Sequence, residues 1–181
     1  MDILSTYSLR CSGLAENKAY YYRFLLKKTF FSQYPESQVE NAKINVKVRV
    51  LKFPSLLKIN FILEGEIVLP CDRCADDLEV KIKHKAKLIA KYGDETSDLT
   101  EIDEVMTLSK AETDLPIAQH LYEYVHLALP ISRRHKRKAD GTTGCNPKSL
   151  EELAKYTEKK VEKSTTVDPR WGKLNDLLSK K

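Results

Sequence analysis

The first half of the chain alternates between apolar and polar residues, which is the pattern of β-strands with one buried face. In AKINVKVRV, residues 42–50, the apolar side chains of Ile44, Val46, Val48 and Val50 alternate with Lys, Asn and Arg. This period of two predicts a strand that packs on a core with one side and meets water with the other.

Further segments continue the same period. Apolar residues occupy odd positions between Leu57 and Leu69, with Gly65 at a point where a bulge or bend is tolerated. In DLEVKIKHKAKLIAKYG, residues 77–93, apolar side chains and lysines separate onto opposite faces. AYYYRFLLKK, DILSTYSL and EVMTLS are further candidate strands. Because no helical crossover separates most of these segments, we expect antiparallel pairing.

Helical periodicity follows beyond residue 110. Asp114 and Pro116 indicate a helix start, and an apolar stripe runs over residues 117–129. A second helix is predicted near residue 147, with Asn146 as its cap or Ser149 in a capping box with Glu152.

These patterns predict an α+β protein, with a twisted antiparallel β-sheet or partly closed barrel and C-terminal helices packed on it. The length of 181 residues fits a single domain. We expect residues 1–110 to be mainly antiparallel β and residues 111–181 to be helical, with a basic loop at 131–146. A last helix is predicted in DPRWGKLNDLL, residues 168–178.

Composition narrows the class of protein. The chain is 41% hydrophobic and 31% charged, which is typical of a globular protein. Its net charge of +5 is a mild bias that is compatible with a polyanionic partner but not diagnostic of one. No apolar run approaches the ~20 residues that span a bilayer, and the first residues lack the pattern of a signal peptide. We therefore expect a cytoplasmic protein without a membrane partner.

The four cysteines are too few for a disulfide framework, but two of them form a close pair. Cys71 and Cys74 lie on a predicted turn, where both thiolates reach one ion, and zinc takes four such ligands. His135 and Cys145 are the candidates for the other two ligands, although their spacing is wider than usual. A redox pair, a disulfide and two plain reduced cysteines are the alternatives; the redox interpretation is disfavoured because a strand follows Cys74.

Cations cluster in two places. Lysines form a row on one face of the strand that follows Cys74, and RRHKRK, residues 133–138, joins five positive charges to one histidine. Such groups suit contacts with a phosphate backbone, although lysines on a wet strand face also serve solubility. The candidate nucleic-acid contacts are Lys81, Lys83, Lys85, Lys87, Arg133, Arg134, Lys136, Arg137 and Lys138.

The order of four segments resembles the YceD-like proteins of bacteria, which are associated with the accumulation or processing of large-subunit ribosomal RNA. The segments are GEIVLPCDRCADDLEVKI, LYEYVHLALPI, GCNPKSLEEL and DPRWGKLNDLL. The resemblance covers the chain from about residue 40 onward and implies a role in ribosome assembly. Typical members carry a second cysteine pair after the helix, whereas this chain has Cys145 with His135 as a substitute.

No enzyme motif accompanies these features. The chain lacks a glycine-rich phosphate loop and a nucleophile elbow, and His120 and His126 are six residues apart rather than the four of a metalloprotease pair. We expect a non-enzymatic factor that binds large-subunit ribosomal RNA or its precursor particle. The alternative is a protein-protein adaptor of ribosome assembly, which docks on a ribosomal or assembly protein through the acidic stretch 94–104 and the Trp171 helix.

Overall fold

The structure, a computed structural model, describes residues 3–39, 41–93, 104–109 and 112–157. A short 3-10 helix, Ile3–Thr6, precedes the first strand. The strands are β1 Ser8–Arg10, β2 Ala19–Lys27, β3 Asn41–Lys52, β4 Leu56–Pro70, β5 Asp77–Tyr92, β6 Glu104–Leu108 and β7 Asp114–Pro116. The helices are α1 Lys28–Phe31, α2 Ala118–Leu127 and α3 Pro147–Tyr156.

Five strands form one open sheet in the order β2-β3-β4-β5-β6, and β1 pairs with β7 in a separate antiparallel ribbon. Strands β2 to β5 are an antiparallel meander, as the alternating pattern predicted. Strand β6 departs from the prediction because it runs parallel to β5, with Leu88 opposite Glu104. Residues 93–103 connect the two strands, which is close to the roughly dozen residues that a parallel connection needs.

One face of the sheet is the core and the other is wet. The inward residues of β3 and β4 are buried, and α2 packs on them through Tyr124, whose ring centroid lies 5.2 Å from that of Phe61. Gly65 continues the register without a bulge; a Cβ there would meet the Ile44 Cα at 2.6 Å. The glycine therefore permits close strand approach rather than a bend, and the α+β class is confirmed.

One further local prediction was wrong, and a second is decided between its two alternatives. Asp114 and Pro116 do not start a helix: they belong to β7, whose backbone pairs with β1, and α2 starts at Ala118 without a side-chain cap. For α3, Asn146 is the cap that forms, accepting a hydrogen bond from the Lys148 N–H at 3.0 Å. The helix predicted at 168–178 and the acidic stretch at 94–103 lie outside the described residues.

The chain divides into two compact units, Met1–Cys145 and Asn146–Lys181. The first contains both sheets, α1 and α2, and the second contains α3. The assignment of residues 1–181 to one domain stays a prediction. Within the described part of the chain, none of the helices has the length and apolar character that crossing a membrane requires.

Candidate functional site

The turn between β4 and β5 presents two thiols from one short loop. The Cys71 N–H donates to the Asp76 carbonyl oxygen at 2.8 Å, and the Ala75 N–H donates to the Cys71 carbonyl oxygen at 2.9 Å. These bonds close the loop around Ala75, which takes a left-handed φ of 60°. Cys71 and Cys74 are both buried although they sit at a hairpin end, because other residues cover them.

A second, smaller hairpin supplies the covering residues. The Lys138 N–H donates to the Thr142 carbonyl oxygen at 2.8 Å, and the Gly144 N–H donates to the Lys136 carbonyl oxygen at 3.2 Å. Gly141, with φ of 81°, occupies its turn, which demands the left-handed region. The two arms place His135 beside Cys145, so a separation of ten residues becomes a pair of neighbours.

Four potential ligand atoms meet where the two hairpins join. One atom each from Cys71, Cys74, His135 and Cys145 lies within 4.8 Å of all the others. The sulfurs of Cys71 and Cys145 are 3.9 Å apart, and the Cys74 sulfur is 3.4 Å from the His135 Nδ1. Tetrahedral zinc with bonds of ~2.0 to 2.3 Å would hold such atoms about 3.5 to 3.8 Å apart. The cluster therefore has the donor set and nearly the dimensions of a closed zinc site.

A second layer of contacts orients the ligands. The His135 Nε2–H donates to the Asp77 carbonyl oxygen at 3.1 Å, which leaves Nδ1 directed at the sulfurs. Ligand histidines in metal sites are commonly fixed in this way. The hydrogen bond to the Asp77 carbonyl oxygen, together with the adjacent thiolates, raises the pKa of His135.

The environment of Cys71 favours its thiolate. Burial alone would raise the pKa of this thiol, but three backbone N–H groups and the Cys74 side chain outweigh burial and lower the pKa of Cys71 to about 6. The N–H groups belong to Arg73, Cys74 and His135. Since the thiolate is the form that binds metal, backbone dipoles prepare this ligand.

The four residues named from the sequence as metal ligands are thus brought together by the fold. Within residues 3–39, 41–93, 104–109 and 112–157, they are the one group of three or more His, Cys, Asp or Glu side chains close enough to share an ion. Cys11 is separate: it is buried in the core, and desolvation raises its pKa to about 11. All four cysteines are free thiols.

The basic loop is anchored by its first arginine. The Arg133 N–H donates to an Asp72 carboxylate oxygen at 2.6 Å, and the Arg133 Nε lies 3.2 Å from the other oxygen. Arg133 also donates to the Gln38 side-chain oxygen at 3.0 Å. Its role is therefore at least partly structural. The remaining cations of the loop are exposed, namely Arg134, Lys136, Arg137 and Lys138.

The lysine row on β5 separates into two halves. Lys83 pairs with Glu64 at 2.8 Å, and Lys81 pairs with Glu66 at 3.5 Å, both across the β4–β5 ladder. The Lys83–Glu64 hydrogen bond lowers the pKa of Glu64 and raises that of Lys83. The other two lysines of the row face neutral residues: Lys85 lies opposite Ile62 and Lys87 opposite Asn60.

Histidines outside the cluster pack among aromatic rings. The rings of His84 and His120 lie 6.0 and 6.2 Å from that of Tyr124, and the ring of His126 lies 4.1 Å from that of Tyr122.

The sequence did not single out Gly144, where a Cβ would meet the Lys136 carbonyl oxygen at 2.7 Å. Its one signal was a glycine directly before a candidate ligand.

These features define an α+β protein with a Cys3His cluster beside a basic loop. Residues 59–178, about two thirds of the chain, match the family model described as "Large ribosomal RNA subunit accumulation protein YceD". The chain belongs to the YceD family, whose name implies involvement in the accumulation of the large ribosomal subunit RNA. Comparison with curated proteins and with solved structures gave no match.

Proposed function

We propose that the protein is a non-enzymatic ribosome-biogenesis factor of the bacterial cytoplasm. It binds large-subunit ribosomal RNA or its precursor particle and supports the processing or accumulation of that RNA. The family description supports a role in the accumulation of large-subunit ribosomal RNA. The observation that carries RNA contact is the basic loop, whose cations Arg134, Lys136, Arg137 and Lys138 stay exposed while Arg133 fixes its base to Asp72.

Zinc is the cofactor that the ligand cluster fits best. Three thiolates and one imidazole are ligands of structural zinc sites, and four protein ligands fill a tetrahedral ion. Such a site leaves no position for a substrate or an activated water. Zinc would therefore hold the two hairpins together, which agrees with a binding factor rather than a hydrolase.

The cluster lies at the base of the basic loop, which gives the metal a functional consequence. His135 lies within the RRHKRK sequence, so the same residues that ligate the ion fix the backbone that carries the cations. Ordering a loop before binding removes part of the entropy cost of association. The site thus presents phosphate contacts in a defined arrangement.

RNA binding is tested by a salt titration with in-vitro transcribed large-subunit ribosomal RNA. Each lost phosphate contact lowers the slope of log affinity against log salt by ~0.7 to 0.9. A variant with Arg134→Glu, Lys136→Glu and Arg137→Glu should therefore bind more weakly, with a slope shallower by about 2. The matched control reverses three exposed cations elsewhere, Arg10, Lys18 and Lys28, and has the same net charge.

A protein-protein adaptor of ribosome assembly is the second candidate. The support for it is two exposed apolar residues where α2 leads into the basic loop: Leu127 is 71% exposed and Ile131 is fully exposed. An adaptor would co-sediment with large-subunit precursors yet show no affinity for the isolated RNA. That result would overturn direct RNA binding, and metal-dependent RNA cleavage by the purified protein would overturn the non-enzymatic assignment.

A further inference from the structure

The wet face of the sheet carries a second cationic surface, apart from the loop. The strand register aligns two rows of side chains across β2, β3, β4 and β5. We call these two rows the sheet platform. The first row is Tyr21, Arg49, Asn60 and Lys87, and the second row is Arg23, Lys47, Ile62 and Lys85.

Charge distinguishes the sheet platform from the rest of the face. It has five cations and no carboxylate, whereas the next two rows contain Glu64 and Glu66, each paired with a lysine. Those rows also contain Lys27 and Lys43, so the formal charge of the two neighbouring rows together is +2, against +5 for the sheet platform. A polyanion is therefore attracted to this part of the sheet more than to the neighbouring rows.

Exposed apolar groups lie among these cations. The Tyr21 side chain is 73% exposed, and Ile62 two strands away is 36% exposed. A concavity of about 390 Å³ lies over them, and Arg23, Lys47 and Arg49 are among its lining residues. A single exposed apolar side chain is common on protein surfaces, but here a tyrosine ring and an isoleucine share one concavity with three cations.

An aromatic ring between cations fits one nucleic-acid form better than another. A duplex hides its base faces and offers phosphates alone, so it would leave the ring unused. A single strand offers both phosphates and unstacked bases. Four strands spaced ~4.8 Å apart give a width of about 14 Å, comparable to sheet surfaces that stack two or three bases.

We propose that the sheet platform binds a single-stranded RNA segment, with one base stacked on Tyr21 and the flanking phosphates on Arg49, Lys47, Lys85 and Lys87. This assignment rests on the proposed RNA-binding function and names the form of RNA and the surface that receives it. The basic loop then serves as a separate phosphate contact, and the platform adds selectivity for unpaired segments.

The stacking contact is tested with Tyr21→Ala and Tyr21→Phe in the full-length protein. With a single-stranded oligouridylate of about ten nucleotides as the probe, Tyr21→Ala should weaken binding roughly 10-fold, whereas Tyr21→Phe keeps the ring and should bind like wild type. The matched control is Tyr156→Ala, because Tyr156 on α3 is also exposed, at 83%. A duplex of the same length should not respond to Tyr21→Ala.

The electrostatic contact is tested with Lys85→Gln and Lys87→Gln combined. The salt slope for the oligouridylate should fall by about 1.4, since a single strand loses ~0.7 for each phosphate contact. A control that removes the exposed Lys18 and Lys28 charges should leave the slope unchanged. None of the substituted residues belongs to the ligand cluster, so metal content reports whether each variant is folded.

The outcomes separate this inference from the proposed function. Wild-type protein that binds RNA and loses affinity on loop reversal, but is indifferent to the Tyr21 and Lys85/Lys87 variants, would overturn the platform and leave the function standing. Equal binding of duplex and single strand would also overturn the platform. No RNA binding by the wild-type protein would overturn the proposed function itself.

Discussion

Gly144 shows how one missing side chain sets the geometry of the cluster. Its backbone passes so close to His135 that a Cβ would lie 2.7 Å from the Lys136 carbonyl oxygen and 3.2 Å from the His135 Cβ. Both neighbours belong to the arm that positions the imidazole, so neither yields without moving a ligand. A methyl group here therefore acts on metal binding as well as on stability.

We predict that Gly144→Ala lowers zinc affinity at least 10-fold, because displaced ligand supports commonly cost 10- to 100-fold. The measurement is competition with a chromophoric chelator. Gly65→Ala is the matched control: a Cβ there also meets backbone, but at β3, remote from the ligands. Gly65→Ala should destabilise the fold, but the molecules that remain folded should keep the zinc affinity of the wild type. Equal zinc affinity in Gly144→Ala and wild type would contradict the assigned geometry.

Adjacent arginines of the basic loop serve different purposes. Arg133 is half-buried and shares two contacts with Asp72, while Arg134 is exposed. Both were predicted from the sequence to contact RNA, because nothing in an RR pair indicates which guanidinium turns inward. The difference depends on a carboxylate that lies 61 residues earlier in the chain.

We predict that Arg133→Ala lowers the free energy of unfolding by roughly 1 to 2 kcal/mol, since it removes the side-chain hydrogen bonds to the Asp72 carboxylate and to Gln38 while the backbone bond to Asp72 remains. Arg134→Ala should change stability by less than about 0.5 kcal/mol, as an exposed side chain, but should weaken RNA binding. Denaturant unfolding and RNA titration of both variants give the comparison. Identical behaviour of the two variants would contradict this division.

Among the elements, the strands with a clean period of two were predictable and the short ones were not. β3 buries alternate residues along most of its length, and β5 alternates exposed residues with half-buried or buried ones as far as Leu88. This one-sided burial produces the apolar–polar alternation in the sequence. β7 has three residues, too few for a period, and its Asp114 and Pro116 also suit a helix start. Only the pairing with β1, a hundred residues earlier, decides between them.

The β4–β5 ladder also limits how far the cationic surface extends. Glu64 and Glu66 face Lys83 and Lys81 and neutralise one half of the lysine row. Because all four side chains are largely exposed, these pairs contribute little to stability. Their larger effect is on the field that a polyanion meets.

We predict that combined Glu64→Gln and Glu66→Gln strengthens RNA binding several-fold and steepens the salt slope by up to about 1.4, as two released lysines gain phosphate contacts. Thermal unfolding should be nearly unchanged. The control is Glu151→Gln with Glu152→Gln on α3, which raises net charge equally. Equal gains in both variants would mean that net charge alone, rather than its position on the sheet, attracts RNA.

At the scale of the whole molecule, the metal cluster joins parts of the chain that no local pattern connects. The Cys71–Cys74 pair was predictable from the sequence because both candidate ligands lie on one turn. The other pair, His135 and Cys145, has a wider spacing than is usual in zinc motifs. The small hairpin that closes this spacing depends on backbone bonds between Lys136–Lys138 and Thr142–Gly144. The four candidate ligands were predictable from the sequence, whereas their arrangement around one point depends on the tertiary structure.

Removal of the proposed zinc ion should distinguish the two proposed RNA surfaces. The ligands tie the basic loop to the β4–β5 turn, while the sheet platform depends on the strand ladders. Chelation should therefore increase hydrogen exchange in residues 133–145 and leave β3 and β4 protected. Cys74→Ser should lose the bound ion, whereas Cys11→Ser, which alters a core thiol away from the cluster, should retain it.

The energetic coupling between changes then identifies which surface the metal supports. Chelation should weaken RNA binding. The loss of binding free energy on chelation should not add to the loss caused by loop charge reversal, because both changes act through the same contacts. With Tyr21→Ala the two free-energy losses should add, since the platform is independent of the ion. Full additivity between chelation and loop reversal would show that the cluster does not order the loop. Strong coupling between chelation and Tyr21→Ala would show that the loop and the platform act as one surface.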